Sequence, residues 1–204
     1  VALYHNAGTQ MLEYEACKGG VAIPYSLHTN PINIGYPDSL GIGAAVLGDG
    51  STDLVYEMAE TDRKMMKAEG LNIMYGPQVD VTSDPRWPRT SGTYGERPDV
   101  TSDIAEALVK GYQDGDNGLN EGSVVLTIKH FPGDGVDYRD QHLMSSVNSL
   151  SAEEWYASYG HIYQTLIDYG APTVMCAHIR QPALCREINP DIRDEDILPG
   201  SLSR

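Results

Sequence analysis

Apolar and polar positions along the chain predict parallel strands that are connected by helices. Short apolar runs indicate buried strands at 21–27, 71–75, 124–128 and 172–177. Between these runs, apolar residues recur at helical spacing over 53–69, 98–112 and 151–167. The order β-α-β-α-β-α-β, with crossovers of helix length, predicts an α/β fold with a parallel sheet and helices outside it.

The boundaries of these helices carry recognisable end signals. Thr52 or Asp53 can cap the first helix, and Gly70 can close it. Ser151, followed by Glu154 three residues later, forms the sequence pattern of a capping box. Residues 180–199 show neither the helical spacing nor the apolar run of a strand, and they are predicted to be irregular.

Four predicted strands cannot close an eight-stranded barrel, so either the sheet is open and doubly wound or the chain forms half of a barrel. The chain begins with Val rather than Met, and Leu198–Arg204 resembles the start of a helix with no helix after it. We therefore expect residues 1–204 to form a single incomplete (β/α)8 barrel domain that lacks its start and its C-terminal strands. Because a half-barrel leaves strand edges unpaired, this piece alone is expected to fold poorly and to be inactive.

Charge and composition exclude several classes of function. The 204 residues carry a net charge of −15, which disfavours a nucleic acid partner. No apolar run approaches the roughly 18–20 residues that a membrane-spanning helix needs. Three cysteines without short spacing argue against a disulfide framework or a zinc site, and no phosphate-binding or dinucleotide-binding glycine motif is present. We predict no metal and no cofactor.

Polar side chains cluster at the ends of the predicted strands and in the loops that follow. The carboxyl ends of parallel strands meet at one rim, where α/β barrels carry their active sites. The mixture of cations and carboxylates suits a sugar better than a phosphate, and Trp87 and Tyr94, in the long loop 76–96, are possible stacking surfaces. The rim set is Asn30, Asp80, Arg86, Arg89, Lys129, His130, Asp140, His142 and His178.

Asp140 and His142 are separated by one residue. A carboxylate that is hydrogen-bonded to one imidazole nitrogen leaves the other nitrogen able to donate or accept a proton. A general acid/base requires such a nitrogen. On spacing alone, the favoured interpretation is that both residues belong to a solvated loop surface.

Two motifs resemble the N-terminal barrel domain of glycoside hydrolase family 3. The first runs from Pro77 through Asp80, Asp84 and Arg89 to Glu96, and the second is Lys-His-Phe-Pro-Gly-Asp-Gly at 129–135. The second motif, continued to His142, is similar to the β-N-acetylhexosaminidase branch, although Asp134 and Gln141 depart from its commonest residues.

The resemblance implies a role for each site residue. Arg89, Lys129 and His130 would bind sugar hydroxyls, Arg139 would support the loop or the same subsite, and His142, oriented by Asp140, would be the acid/base. Where the family usually has an Asp near the first strand, this chain has Asn30. Arg86 is expected to pair with a nearby carboxylate.

The implied reaction is retaining hydrolysis of a terminal β-linked sugar, with an Asp nucleophile expected beyond Arg204. A histidine leaves less negative charge beside the glycosyl intermediate than a carboxylate does, so phosphate could replace water as acceptor. The alternatives are a β-glucosidase or β-xylosidase in which Asp140 and His142 are incidental, and a non-catalytic sugar-binding barrel.

Overall fold

The computed structural model describes residues 36–68, 73–115 and 118–203. The first predicted strand, at 21–27, and the candidate site residue Asn30 lie outside these described residues. The described part is an α/β fold built on parallel strands, as predicted.

Three parallel strands form the central sheet in the order β1-β2-β4. They are β1 (Ile73–Met74), β2 (Val125–Phe131) and β4 (Thr173–Cys176). A smaller parallel pair joins β3 (Ser146–Val147) to β5 (Ile179–Arg180). Because consecutive strands of the central sheet run parallel, the chain crosses back over the sheet between them, and all their carboxyl ends meet at one rim.

Strand β2 is the centre of the sheet and extends beyond the apolar run that predicted it. Leu126 and Ile128 are fully buried, and Thr127 pairs with Thr173 of β4. The ladder with β4 is irregular between Ile128 and Phe131. This interruption lies at the strand end that carries the basic residues.

Helices cover the sheet; those within 53–68, 98–113 and 152–169 agree with the predicted helical periods, whereas the helices at 39–49 and 182–188 were not predicted. The helices are α1 (Ser39–Asp49), α2 (Asp53–Ala68), α3 (Pro98–Gln113), α4 (Ala152–Trp155), α5 (His161–Tyr169) and α6 (Pro182–Ile188). A π-helical segment, Tyr156–Gly160, joins α4 to α5. Helices α2 and α3 approach closely because Gly111 faces Ala59, where a Cβ on Gly111 would lie 2.6 Å from the Ala59 Cβ.

The predicted capping box is confirmed. The Glu154 N–H donates to Ser151 Oγ (3.2 Å), and Glu154 Oε2 accepts from the Ser151 N–H (2.9 Å). The prediction that 180–199 is irregular is wrong, because this stretch contains α6. Its start is stabilised by Gln181, whose Oε1 accepts hydrogen bonds from Ala183 N (2.9 Å) and Leu184 N (3.2 Å). An amide side chain in the capping role is not among the usual sequence signals.

The long loop 76–96 buries its large apolar side chains, although several of its polar residues are exposed. Val79 is fully buried, Trp87 is 1% exposed and Tyr94 is 2% exposed. These two rings therefore belong to the core, and the prediction that they offer stacking surfaces for a sugar is wrong. Their burial holds the loop against the end of β2, where Val79 N donates to Lys129 O (2.7 Å).

Candidate active site

The end of β2 places two consecutive basic residues inside the protein. Lys129 is 1% exposed and His130 is 5% exposed. The peptide bond between them is cis, as is the following bond between Phe131 and Pro132. A buried lysine needs polar surroundings to keep its charge, so this strand end is a polar site rather than an extension of the apolar core.

Asp80 organises the surroundings of His130. Its Oδ2 lies 2.7 Å from His130 Nδ1, and its Oδ1 accepts from the backbone N–H groups of His130 (3.2 Å) and Asp134 (2.7 Å). Burial alone would raise the pKa of Asp80, but His130, these N–H groups and the charge of Arg89 together lower it. Asp80 is therefore an anion, and it accepts the proton on His130 Nδ1.

Arg89 completes this buried group from the opposite side. Its Nη1 lies 3.2 Å from His130 Nε2, and its Nη2 donates to Gln78 Oε1 (3.1 Å). Burial lowers the pKa of His130 to about 4, against the opposing effect of Asp80. The imidazole is therefore neutral, with its proton on Nδ1 and with Nε2 accepting from Arg89. The arrangement fixes a guanidinium and an imidazole in one orientation.

The turn after β2 adds a second buried carboxylate. Asp134 is 2% exposed; its Oδ1 accepts from Gly135 N (3.1 Å) and Ser146 Oγ (3.3 Å), and its Oδ2 accepts from Gln141 Nε2 (3.0 Å). Burial and the negative charge of Asp80 raise the pKa of Asp134 to about 7. The donors around Asp134 therefore connect the end of β2 to the loop that follows it.

Asp140 and His142 form a hydrogen-bonded pair at the surface of that loop. Asp140 Oδ1 accepts from the backbone N–H of His142 (2.9 Å) and lies 2.7 Å from His142 Nδ1. The imidazole is about half exposed, and the carboxylate is mostly covered. Partial burial alone would raise the pKa of Asp140, but the hydrogen bonds from His142 and the charge of Arg89 lower it. The pair thus directs His142 Nε2 outward, able to give or take a proton.

The arginines beside this pair have carboxylate partners close in sequence. Arg139 Nε donates to Asp137 Oδ2 (2.7 Å), and Asp137 Oδ2 also accepts from Val147 N (3.0 Å). Arg86 Nη2 donates to Asp84 Oδ2 (2.6 Å), as expected for a structural pair. The contacts of Arg139 lie within the loop, so the structure favours its loop-supporting role over direct sugar binding.

His178 follows β4 and reaches the same region. Its Nδ1 lies 2.7 Å from Ser201 Oγ, and its backbone N–H donates to Gln141 Oε1 (3.1 Å). The strand ends therefore converge as the parallel topology predicts, and β2 and β4 both contact the loop that carries Asp140.

The structure brings together most of the predicted site residues and adds others. Arg89 and His130 share a direct contact beside Lys129, and Asp140 pairs with His142. The residues that position them are Gln78, Asp80, Asp134 and Gln141. Sequence reasoning placed Asp80 in the rim set without a specific partner and assigned no role to the other three. The signal for Asp80 was its place in the Pro77-x-x-Asp motif, whereas the others are ordinary polar loop residues whose burial no local pattern shows. In the described ranges, no three His, Cys, Asp or Glu side chains converge to hold a metal ion.

None of the helices in the described parts of the chain is both long and apolar enough to cross a membrane.

The chain matches the family model for the glycosyl hydrolase family 3 N terminal domain over residues 12–202. It is 38% identical to a beta-N-acetylglucosaminidase/beta-glucosidase of Cellulomonas fimi, covering 79% of this chain and 28% of that protein. A periplasmic beta-glucosidase/beta-xylosidase of Dickeya chrysanthemi is 34% identical, with 60% and 21% covered. The chain thus spans less than a third of the length of these curated relatives.

Solved structures show the same relationship. A beta-glucoside phosphorylase superposes with a TM-score of 0.78 at 37% identity, covering 96% of this chain and 36% of that one. The beta-glucosidase from Listeria innocua, solved in complex with isofagomine, gives a TM-score of 0.63 at 30% identity, with 72% and 20% covered. The barrel-type fold that the sequence predicted is therefore confirmed.

Proposed function

The chain belongs to glycosyl hydrolase family 3, and from this premise we propose that its protein hydrolyses the O-glycosidic bond of terminal β-linked sugars. The observation that carries the proposal is the Asp140–His142 pair beside the buried Asp80–His130–Arg89 group. The pair supplies a proton-transfer group, and the buried group supplies fixed donors for a polar substrate. A glycosidase needs both functions on one rim.

The buried group is proposed to hold the terminal sugar. Arg89 and Lys129 would bind its hydroxyl groups directly. Both ring nitrogens of neutral His130 are engaged, Nδ1 with Asp80 and Nε2 with Arg89, so His130 would serve the same subsite by orienting the Arg89 guanidinium. Because these side chains are locked before substrate arrives, little conformational entropy is lost on binding. Asn30, which lies outside the described residues, is proposed as a further member of this site, and Arg139 is proposed to support the neighbouring loop through Asp137.

His142 is proposed as the acid/base, with Asp140 orienting it. In the first step a carboxylate from outside the described residues attacks the anomeric carbon while His142 Nε2 protonates the departing oxygen. In the second step the neutral imidazole removes a proton from water, which attacks the glycosyl intermediate and restores the starting state. The carboxylate of Asp140 stabilises the imidazolium form through the 2.7 Å contact with Nδ1.

The sugar is proposed to be an N-acetylhexosamine, with glucose or xylose as the alternative. The Cellulomonas fimi relative is named for both N-acetylglucosaminidase and glucosidase activity. A non-catalytic sugar-binding domain is the remaining alternative, and absence of turnover by the full-length protein would favour it.

A specific observation also favours a phosphorylase. The proton-transfer group is an imidazole, and the negative charge of the pair lies on Asp140 behind it rather than at the proton-transfer atom; the beta-glucoside phosphorylase is 37% identical to this chain. An anionic acceptor would meet less repulsion at such a site. Release of sugar 1-phosphate by the full-length protein in phosphate buffer supports this activity, and unchanged products in phosphate count against it.

The experiment that tests the acid/base is His142→Ala in the full-length protein, assayed on phenyl and dinitrophenyl β-glycosides of glucose and N-acetylglucosamine. General acid catalysis is worth roughly 100- to 10,000-fold. A phenolate needs that proton to leave, whereas a dinitrophenolate does not. We therefore expect kcat/KM to fall by about 100-fold or more for the phenyl glycoside and far less for the dinitrophenyl glycoside.

His161→Ala is the matched control, because His161 is an exposed histidine at the start of α5. It should leave both substrates at the wild-type rate. If His142→Ala keeps phenyl glycoside turnover within a few-fold of wild type, the Asp140–His142 assignment is wrong, and the β-glucosidase alternative with an acid elsewhere is favoured.

A further inference from the structure

Gln141 lies between the two members of the proposed acid/base pair but points the other way. It is 8% exposed, whereas His142 is exposed and Asp140 is intermediate. Among residues 138–145, all of which the structure describes, Gln141 is the only buried residue. The loop therefore presents its proton-transfer groups outward and sends one side chain into the protein.

Both ends of the Gln141 amide are hydrogen-bonded, each to a different strand end. Nε2 donates to Asp134 Oδ2 (3.0 Å), in the turn after β2. Oε1 accepts from the backbone N–H of His178 (3.1 Å), directly after β4. Gln141 thus ties the loop to the carboxyl ends of two neighbouring parallel strands.

The partner at the β2 end is itself rigidly held. The Asp134 backbone N–H donates to Asp80 Oδ1 (2.7 Å), the same oxygen that accepts from the His130 N–H (3.2 Å). A continuous set of buried contacts therefore connects the sugar-binding group around His130 to Gln141. These contacts fix the position of the loop relative to the group that is proposed to bind the sugar.

We propose that Gln141 is a positioning residue that fixes the acid/base loop over the substrate by bridging Asp134 and His178. The inference rests on the proposed function of Asp140 and His142. The neighbouring residues do not provide this link, because His142, Leu143 and Met144 are all exposed. Small displacements of a proton-transfer group are costly, since the transfer requires heavy atoms within hydrogen-bonding reach.

An amide suits this position because it must donate at one end and accept at the other. The Asp134 carboxylate requires a donor, and the His178 N–H requires an acceptor. Leucine has nearly the same size and satisfies neither group. Glutamate satisfies only the His178 N–H and places a second carboxylate against Asp134. Of these three side chains, only the native amide pairs both groups.

The test compares Gln141→Leu, Gln141→Glu and His142→Ala in the full-length protein, on the phenyl and dinitrophenyl β-glycosides of whichever sugar the wild type prefers. The measured quantity is the ratio of kcat/KM for the dinitrophenyl glycoside to that for the phenyl glycoside. A displaced acid loses part of the roughly 100- to 10,000-fold of general acid catalysis, so we expect this ratio to rise about tenfold in both Gln141 variants. Gln164→Leu is the control, because Gln164 donates to Asp168 on the exposed face of α5 (2.8 Å), and its ratio should equal that of the wild type.

The outcomes separate the positioning role from the function on which it rests. A ratio that rises in His142→Ala but not in the Gln141 variants refutes the bridge and leaves the acid/base intact. A ratio unchanged in His142→Ala refutes the proposed acid/base itself. An equal loss on both substrates in Gln141→Leu and Gln141→Glu assigns Gln141 a purely structural role and overturns the proposal. The ratio does not depend on the fraction of folded enzyme, so partial misfolding cannot mimic the expected result.

Discussion

Replacing Asp80 by Asn is predicted to destabilise the domain, because no orientation of the amide satisfies all the contacts of the carboxylate. Asp80 is fully buried and accepts at both oxygens, from the His130 ring at Oδ2 and from the backbone of His130 and Asp134 at Oδ1. If the amide oxygen faces the backbone donors, its NH2 group faces His130 Nδ1. The imidazole must then move its proton to Nε2, where it meets the Arg89 guanidinium at 3.2 Å. The opposite orientation sets the NH2 group against the two backbone N–H groups.

The magnitude follows from this conflict. Either orientation loses a hydrogen bond to a charged group, worth about 1.5–3 kcal/mol, and leaves a buried donor unsatisfied, at a cost of about 1–3 kcal/mol. Since neighbouring groups relax in part, we expect Asp80→Asn to lower the free energy of unfolding by about 3 kcal/mol. The neutral amide also removes the anion that holds the proton on His130 Nδ1, so the KM for the glycoside should rise.

Urea unfolding of the full-length protein near pH 7 measures the first effect. A loss of this size should lower the midpoint of the transition that reports this domain by on the order of 1 M. Asp103→Asn is the matched control, because Asp103 lies exposed on α3 and should leave the midpoint unchanged. If Asp80→Asn matches the control in midpoint and in KM, the orientation argument is wrong and the site does not depend on a fixed His130 tautomer.

Two further predictions concern groups outside the substrate site. Burial raises the pKa of Asp62 to about 8. The folded state therefore retains a proton that the unfolded state releases above pH ~4. Because of this difference, the contribution of Asp62 to the free energy of unfolding falls as pH rises from about 4 to about 8. Asp62→Asn should therefore gain stability relative to wild type between pH 5 and pH 9 in urea unfolding, and a constant difference across that range would contradict the assignment. Gly133 has φ +120°, and a Cβ there would lie 2.2 Å from Tyr159 Cδ1, so Gly133→Ala should cost at least about 2 kcal/mol. Gly48→Ala in α1 meets nothing within 4 Å and should be neutral or stabilising; equal thermal midpoints for the two alanine variants would refute the steric argument.

Local patterns were sufficient for most of the fold. Helices α2 and α3 were predicted from periodicity, because their apolar positions repeat at the spacing that one buried face requires. Strands β2 and β4 were predicted from continuous apolar runs; the prediction that β4 is buried is wrong, because Thr173, Val174 and Cys176 are exposed. Helix α6 was missed because it is short, has no buried residue and begins with a Gln181 cap. Strand β2 was predicted to end at Ile128 but continues through Lys129 and His130 to Phe131, since pairing with its neighbours outweighed the polar character of these residues.

For the candidate site, too, the sequence predicted some features correctly and others wrongly. Arg89, Lys129, His130, Asp140 and His142 were identified from their places after predicted strands and from the family motifs. The buried state of Trp87 was wrongly predicted, because an aromatic residue in a polar loop has the same local sequence whether it faces solvent or core. Burial depends on what packs against a residue, and that information is not local.

By itself, the sequence predicted the parallel strands, the rim at which their polar ends meet, and the Asp140-x-His142 pair, whose members are joined by two hydrogen bonds in the structure. These features depend on neighbours along the chain, so spacing encodes them. Only the tertiary structure decided that Asp80 holds His130 and that Gln141 bridges Asp134 and His178. Those contacts join residues that are 50, 7 and 37 positions apart, and it is the folding of parallel strands onto one rim that brings them within hydrogen-bonding distance.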